Sequence, residues 1–200
     1  MEENTYMKIG VTGGLGCGKS TAAGLFERRG FHRLDSDRLV RDHVLTRPAV
    51  KVQIQRQFGD DMLAADGTIN RARLAERVFA DEAALRWLEE LTHPVLFGLW
   101  REAFAADPGA QWAVEVPLLF EKKLENWFDF TVCVACSPTL QLARLEQRGM
   151  PRVLAEQRIS QQLPLAQKIE QADFVLWNEG SAEFLQDQID RLISSLTVVR

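Results

Sequence analysis

Gly13-Gly14-Leu15-Gly16-Cys17-Gly18-Lys19-Ser20 is a run whose residue types suit one chemistry, the holding of a triphosphate. It fits the spacing G-x-x-x-x-G-K-[ST]. Glycines let the backbone turn tightly and aim its N–H groups at phosphate oxygens, and the start of a following helix adds partial positive charge. In such a loop Lys19 reaches the β- and γ-phosphates and the Ser20 hydroxyl ligates Mg2+. The loop acts this way only between a strand and a helix. Met7-Lys8-Ile9-Gly10-Val11 supplies the strand pattern, and Thr21-Ala22-Ala23-Gly24-Leu25-Phe26 the helix.

Asp35-Ser36-Asp37 closes a second apolar run, Phe31 to Asp35. Ligands of open α/β sheets bind outside the carboxyl ends of the strands. A carboxylate there can accept a proton from an attacking hydroxyl, or hold magnesium. Either Asp35 or Ser36 can cap a helix over 38–44, which leaves Asp37 for chemistry. Arg144 and Arg148 stand four apart on a predicted helix and share a face. Their guanidinium groups suit the charge that spreads over a transferred phosphoryl group. Arg158 and Lys168 are weaker signals. His93, before Pro94, reads as a cap, a satisfied buried group or a ligand contact. Glu115 is a charge inside an apolar strand, facing a site or lying at the strand end; its position in sequence leaves both open.

Three cysteines make no disulfide framework. Cys133-x-x-Cys136 lies in a strand-like run, so both are read as structural. Cys17, beside Lys19 at a helix start, has surroundings that favour thiolate.

The elements that position these residues alternate. Strand patterns fall at 7–12, 31–35, 112–116, 130–135 and 173–177, with helical patterns between, which predicts a parallel α/β sheet. The first helix spans 18–29, burying Ala22, Leu25 and Phe26, with Gly30 as its cap. Roughly 75 residues separate the second and third strands, more than a crossover requires. They read as helices: 48–58 with Val52, Gln55 and Phe58 on one side, 71–79 capped by Asn70, 82–91 capped by Asp81, and one opened by Pro94 that ends before Pro108-Gly109. Beyond the fourth strand, Pro138 opens a helix carrying Leu140, Leu142 and Leu145, which Gly149-Met150-Pro151 breaks. Helices at 152–162 and 164–172 follow. The last, 182–196, presents Phe184, Leu185, Ile189, Leu192 and Ile193 as a core stripe.

Apolar residues are 46% of the 200, enough for a sizeable core, and net charge is −4, which disfavours a nucleic-acid partner. No run is long and apolar enough to span a membrane. The polar, acidic first six residues are unlike a secretory signal and read as a loose tail, with Met7 an alternative start. A cytoplasmic protein is expected.

Assembled, these residues resemble the dephospho-CoA kinase family. Ile9 to Ser20 is similar to that family's opening, and Leu34-Asp35-Ser36-Asp37 with Arg41 to its D-A-D segment. Asp66-Gly67-Thr68-Ile69-Asn70-Arg71, Leu74 and Val78-Phe79 match its insertion. Leu91-Thr92-His93-Pro94 matches its H-P element, and Val116-Pro117-Leu118-Leu119-Phe120-Glu121 its V-P-L-L-F-E. Arg158-Ile159, Gln162, Ala172-Asp173 and Asn178-Glu179-Gly180-Ser181 follow its C-terminal pattern. The resemblance covers residues 7–195. It implies a P-loop kinase fold, a five-stranded parallel sheet flanked by helices. The core would take 7–47, 110–138 and 173–200, a helical substrate-binding insertion 48–109 and a lid 139–172.

The implied reaction moves the ATP γ-phosphoryl group to the 3′-hydroxyl of dephospho-CoA, with Mg2+. Gly14, Leu15, Gly16, Cys17, Gly18, Lys19, Ser20 and Thr21 would bind ATP, with Ser20 on the metal and Asn178 and Gly180 near the adenine. Lys19, Asp37 and Arg144 would be catalytic. Asp35, Asp37, His93, Pro117, Leu118, Leu119, Glu121 and Arg148 would meet the acceptor. Cys17, Ser36 and Trp177 depart from the family's frequent choices. Two other readings compete: a kinase for another small alcohol or nucleotide, and a nucleotide-controlled switch. The switch lacks support, because Asn178-Glu179-Gly180-Ser181 is not N-K-x-D and the third strand does not end in D-x-x-G.

Overall fold

The computed structural model describes residues 6–198. Apart from Tyr6, the tail expected at the N-terminus lies outside them. The chain divides into two compact units. One takes the chain up to Asp35 and from Gly109 onward; the other is Ser36–Pro108, which begins ahead of the 48–109 insertion read from the sequence.

The α/β unit begins with β1 (Met7–Gly13), α1 (Lys19–Glu27) and β2 (His32–Asp35). In α1, Ala22, Ala23, Leu25 and Phe26 are buried, as the 3.6-residue period requires. Gly30, with φ +92, lets the chain turn back to Phe31.

The helical unit starts with α2 (Ser36–Leu39), which widens into a π-helical stretch at Val40–Val44. A single α-helix over 38–44 is therefore not what forms. Then come α3 (Pro48–Phe58), α4 (Arg71–Phe79) and α5 (Glu82–Ala106). The Asn70 side chain caps α4 through the Arg73 N–H, and Asp81 caps α5 through the Ala83 N–H. Two expectations fail here. The buried face of α3 is Val50 and Ile54, while Val52 is 43% exposed, so the apolar stripe was read two residues out of phase. The two helices expected around Pro94 are one. Thr92, Leu96, Trp100 and Phe104 are buried four apart, and this stripe runs straight through the proline position. Pro94 itself is exposed, so the backbone bond it removes lies on the solvent side. Val44, Val50, Ile54, Met62, Ile69, Leu74, Val78 and Ala84 form this unit's own core.

The chain returns to the α/β unit as β3 (Gln111–Glu115), β4 (Phe130–Ala135), α6 (Pro138–Gln147), α7 (Arg152–Ser160), α8 (Leu165–Gln171), β5 (Phe174–Trp177) and α9 (Ala182–Val198). All five strands are parallel, in the order β2-β3-β1-β4-β5. From β1 the chain moves to one side for β2 and β3, then to the other for β4 and β5. That reversal marks the C-terminal end of β1 as a ligand position.

Ile9, Val11, Leu25, Phe26, Val132, Val134, Leu185 and Ile189 pack a core between the sheet and helices α1 and α9. Phe184, expected in the α9 stripe, is 49% exposed, because Leu185 and Ile189 hold the inward face. In α6 the buried residues are Gln141 and Leu145; Leu140 and Leu142 are only half-buried. Among the described residues no helix is long and apolar enough to cross a membrane.

Candidate active site

The phosphate-loop sequence folds as its glycines dictate. Gly18, with φ +99, joins the loop to α1, and a Cβ there would collide with the Asn178 amide. Gly13, with φ +142, sits so close to the Val134 carbonyl that a side chain would be excluded. The Cys17 N–H closes the turn on the Gly14 carbonyl at 3.2 Å, and Ala22 N–H bonds the Gly18 carbonyl at 3.0 Å to start the helix. Lys19 folds back over the loop, its Nζ 3.2 Å from the Gly13 carbonyl and 3.0 Å from that of Gly14. The ammonium therefore rests on two carbonyls of the loop itself.

Two side chains hold the loop from beneath. Gln141 on α6 donates to the Leu15 carbonyl at 2.7 Å. Asn178, just past β5, donates to the Cys17 carbonyl at 2.8 Å and is buried. Its Oδ1 accepts from Arg144 Nη2 at 3.4 Å, so Arg144 reaches the loop through Asn178. The other terminal nitrogen of Arg144, Nη1, is buried without a hydrogen-bond partner. A buried donor on a permanent cation costs free energy unless an acceptor meets it, and an anionic oxygen would do so. Arg148 caps the end of α6 by its backbone and is exposed. The shared face of the pair therefore does not bring both guanidinium groups to the loop.

Glu115 answers the question left open by sequence. It is 4% exposed at the end of β3, beside Val11 of β1 and Asp35 of β2 in the sheet register. Its Oε2 accepts from the Ser20 hydroxyl at 2.7 Å, and its Oε1 from Arg33 Nη2 at 2.6 Å. A carboxylate so deep is tolerable because both oxygens are bonded and one partner is a cation. Its signal in sequence was the charge among apolar neighbours; the parallel register that carries it to Ser20 was not visible.

Lys168 was also underrated. It is fully buried on α8, its Nζ 2.8 Å from both the Pro117 carbonyl and Glu121 Oε1. Glu121 Oε1 also accepts the Leu163 N–H at 2.9 Å, while Oε2 is buried without a partner. Lys168 thus clamps the segment Pro117–Glu121 where it leaves β3. Its place between Leu165 and Ile169, on the inward side of a short helix, was the available clue. Pro117 and Leu118 are half-buried in that segment, whereas Leu119 is fully buried and approaches Gly10 of β1 with Phe128. The side chain of Leu119 is therefore core.

Asp35 ends β2 half-buried, and Asp37, in the first turn of α2, is exposed. His93 is half-buried on α5 with its ring 5.5 Å from that of Phe97. Thr21 is exposed in the first turn of α1, and Gly180 is exposed after β5 beside Phe184. The two units hold separate sets of expected residues: the loop, Asp35, Glu115, Pro117–Glu121, Arg144, Arg148, Asn178 and Gly180 in one, Asp37 and His93 in the other.

A family model described as dephospho-CoA kinase matches residues 7–183. The chain belongs to the dephospho-CoA kinase family. A dephospho-CoA kinase from Thermosynechococcus vestitus is 41% identical over 192 residues, 95% of each chain. The crystal structure of TT1252 from Thermus thermophilus superposes with a TM-score of 0.83 at 32% identity, covering 96% of this chain and 98% of that one. A dephospho-CoA kinase from Campylobacter jejuni gives a TM-score of 0.69 at 26% identity, with coverage of 96% and 98%.

Proposed function

We propose that this chain transfers the γ-phosphoryl group of ATP to the 3′-hydroxyl of dephospho-CoA, releasing CoA and ADP. One observation carries the reading: the phosphate loop is held by Gln141 and Asn178, with Lys19 folded onto its carbonyls and Ser20 against Glu115. Phosphoryl transfer leaves the protein little covalent chemistry, so catalysis rests on positioning and charge stabilisation.

The N–H groups from Gly14 to Lys19 cradle the phosphates, and Lys19 exchanges loop carbonyls for phosphate oxygens. Nη1 of Arg144 offers a donor to the charge that develops on the transferred group. Asp37 orients or deprotonates the 3′-hydroxyl. We assign acceptor contacts to Asp35, Pro117 and Leu118 in the α/β unit and to His93 in the helical unit; Glu121 holds the Pro117–Leu118 segment through Lys168, and Arg148 adds positive charge. The region after β5, Asn178 to Gly180, flanks the adenine. We assign 48–109 to the acceptor and 139–172 to a lid whose closure excludes water and limits ATP hydrolysis.

Magnesium fits the residues present. Ser20 and Glu115 present hard oxygen donors 2.7 Å apart, and Mg2+ needs few protein ligands when phosphate and water complete its shell. Ser20 would hold it, with the Glu115 carboxylate behind. Held there, it would supply positive charge to offset that of the phosphates. A cytoplasmic enzyme acting on small molecules, with no nucleic-acid or membrane partner, fits the net charge of −4 and the free thiols.

The test is ADP formation from Mg-ATP with dephospho-CoA, AMP or shikimate as acceptor. Turnover with dephospho-CoA alone is expected. Turnover with AMP but not dephospho-CoA contradicts the reading. In the same assay Asp37→Asn lowers kcat by about 100-fold, while ATP affinity holds; near-normal kcat removes Asp37 as base or orienter.

A further inference from the structure

Three thiols lie close to the phosphate loop, and phosphoryl transfer uses none of them. Cys17 is a loop residue, Cys136 follows β4, and Cys133 lies within β4; all are free and buried. Cys133 and Cys136, read from sequence as structural, have different neighbours in the fold. The Cys136 thiol donates to the Cys17 sulfur across 3.4 Å, although the two stand 119 positions apart in sequence.

We propose that Cys17 and Cys136 form a peroxide-reactive dithiol whose oxidation to a disulfide distorts the phosphate loop and weakens ATP binding. A disulfide is about 2.05 Å long, so the sulfurs must close by about 1.4 Å. Cys136 is anchored at the end of a central strand, so most of that movement falls on the loop. The Cys17 carbonyl is held by Asn178 and the Leu15 carbonyl by Gln141, so a shift of Cys17 disturbs the amides between them.

The two sulfurs differ in reactivity. The hydrogen bond from Cys136, and then the charge of Lys19, pull the Cys17 thiol down to about 7 against the effect of burial. The same bond and burial push Cys136 up, so it remains the protonated partner. Arg144 and Glu179 are the other charged groups acting on Cys136, with opposite signs. Burial pushes Cys133 up to about 12, which leaves it unreactive.

The chemistry balances with hydrogen peroxide as oxidant. Cys17 thiolate attacks one peroxide oxygen, the O–O bond breaks, and hydroxide leaves behind a Cys17 sulfenic acid. The Cys136 sulfur then attacks the Cys17 sulfur, and the displaced hydroxide takes the Cys136 proton to leave as water. Two thiols lose two electrons and two protons, and one peroxide becomes two waters.

The experiment treats the purified full chain with hydrogen peroxide, with or without Mg-ATP, and follows intact mass, peptide cross-links and nucleotide binding. The expected product has lost two hydrogens, carries a Cys17–Cys136 cross-link, binds ATP about tenfold or more weakly, and recovers with dithiothreitol. Its rate of formation rises with pH through about 7, where Cys17 becomes thiolate. Cys136→Ser and Cys136→Ala retain basal activity and form no cross-link, whereas Cys133→Ser still does. A Cys133–Cys136 cross-link, no cross-link, or a cross-linked protein that binds ATP normally overturns the proposal. The mass and binding readouts need no acceptor, so they stand apart from the test of dephospho-CoA as substrate.

Discussion

The two units bury different things. The α/β unit encloses Thr12, Glu115, Thr131, Gln141, Lys168 and Asn178, each hydrogen-bonded to a residue distant in sequence, whereas the buried polar side chains of the helical unit are Ser36 and Thr92. Thr92 simply bonds the Leu88 carbonyl one turn back in its own helix. A buried polar network is expensive to build and rigid once complete. Such a network belongs where charge develops, because donors fixed in advance need no reorganisation at the moment of transfer. The helical unit has an apolar core of its own, around Val44, Val50, Ile54, Leu74 and Val78.

Variants on the two sides should therefore differ in kind. The largest effect is expected for Lys19→Ala, which removes the ammonium over the loop. Its kcat should fall by about 1,000-fold, or about 4 kcal/mol, in the ADP assay, and a loss under tenfold would mean that the loop amides suffice. Next comes Glu115→Gln, which keeps the shape but removes the charge behind Ser20. It should raise the magnesium needed for half-maximal rate by about 10- to 100-fold, and an unchanged requirement would make Glu115 only a partner for Arg33. In the helical unit Ile54→Val should lower stability by about 1 kcal/mol with kcat unchanged. The exposed neighbour in Val52→Ala should cost less than about 0.5 kcal/mol. A large drop in kcat for Ile54→Val would erase the contrast between the units.

Much of this was legible in the chain. Strand positions came from short apolar runs punctuated by helical spacing, and the loop from glycines that few other structures require. The α3 face was misread because Val52 and Phe58 looked apolar at helical spacing, while burial went to Val50 and Ile54. Pro94 looked like a helix start because local propensity favours it there, but a tertiary stripe through Thr92, Leu96, Trp100 and Phe104 overrode it. The supporting site residues were the hardest to find. Glu115 meets Ser20, and Asn178 meets Cys17, through strand order and register, and nothing local in sequence encodes either. The partner of Cys17 was hidden for the same reason.

Phosphorus NMR of the product made from ATP and dephospho-CoA tests the central claim most directly. The account predicts a new phosphomonoester on the ribose 3′-oxygen, formed in step with ADP. Phosphate at another position, or ADP appearing only with inorganic phosphate, would contradict it.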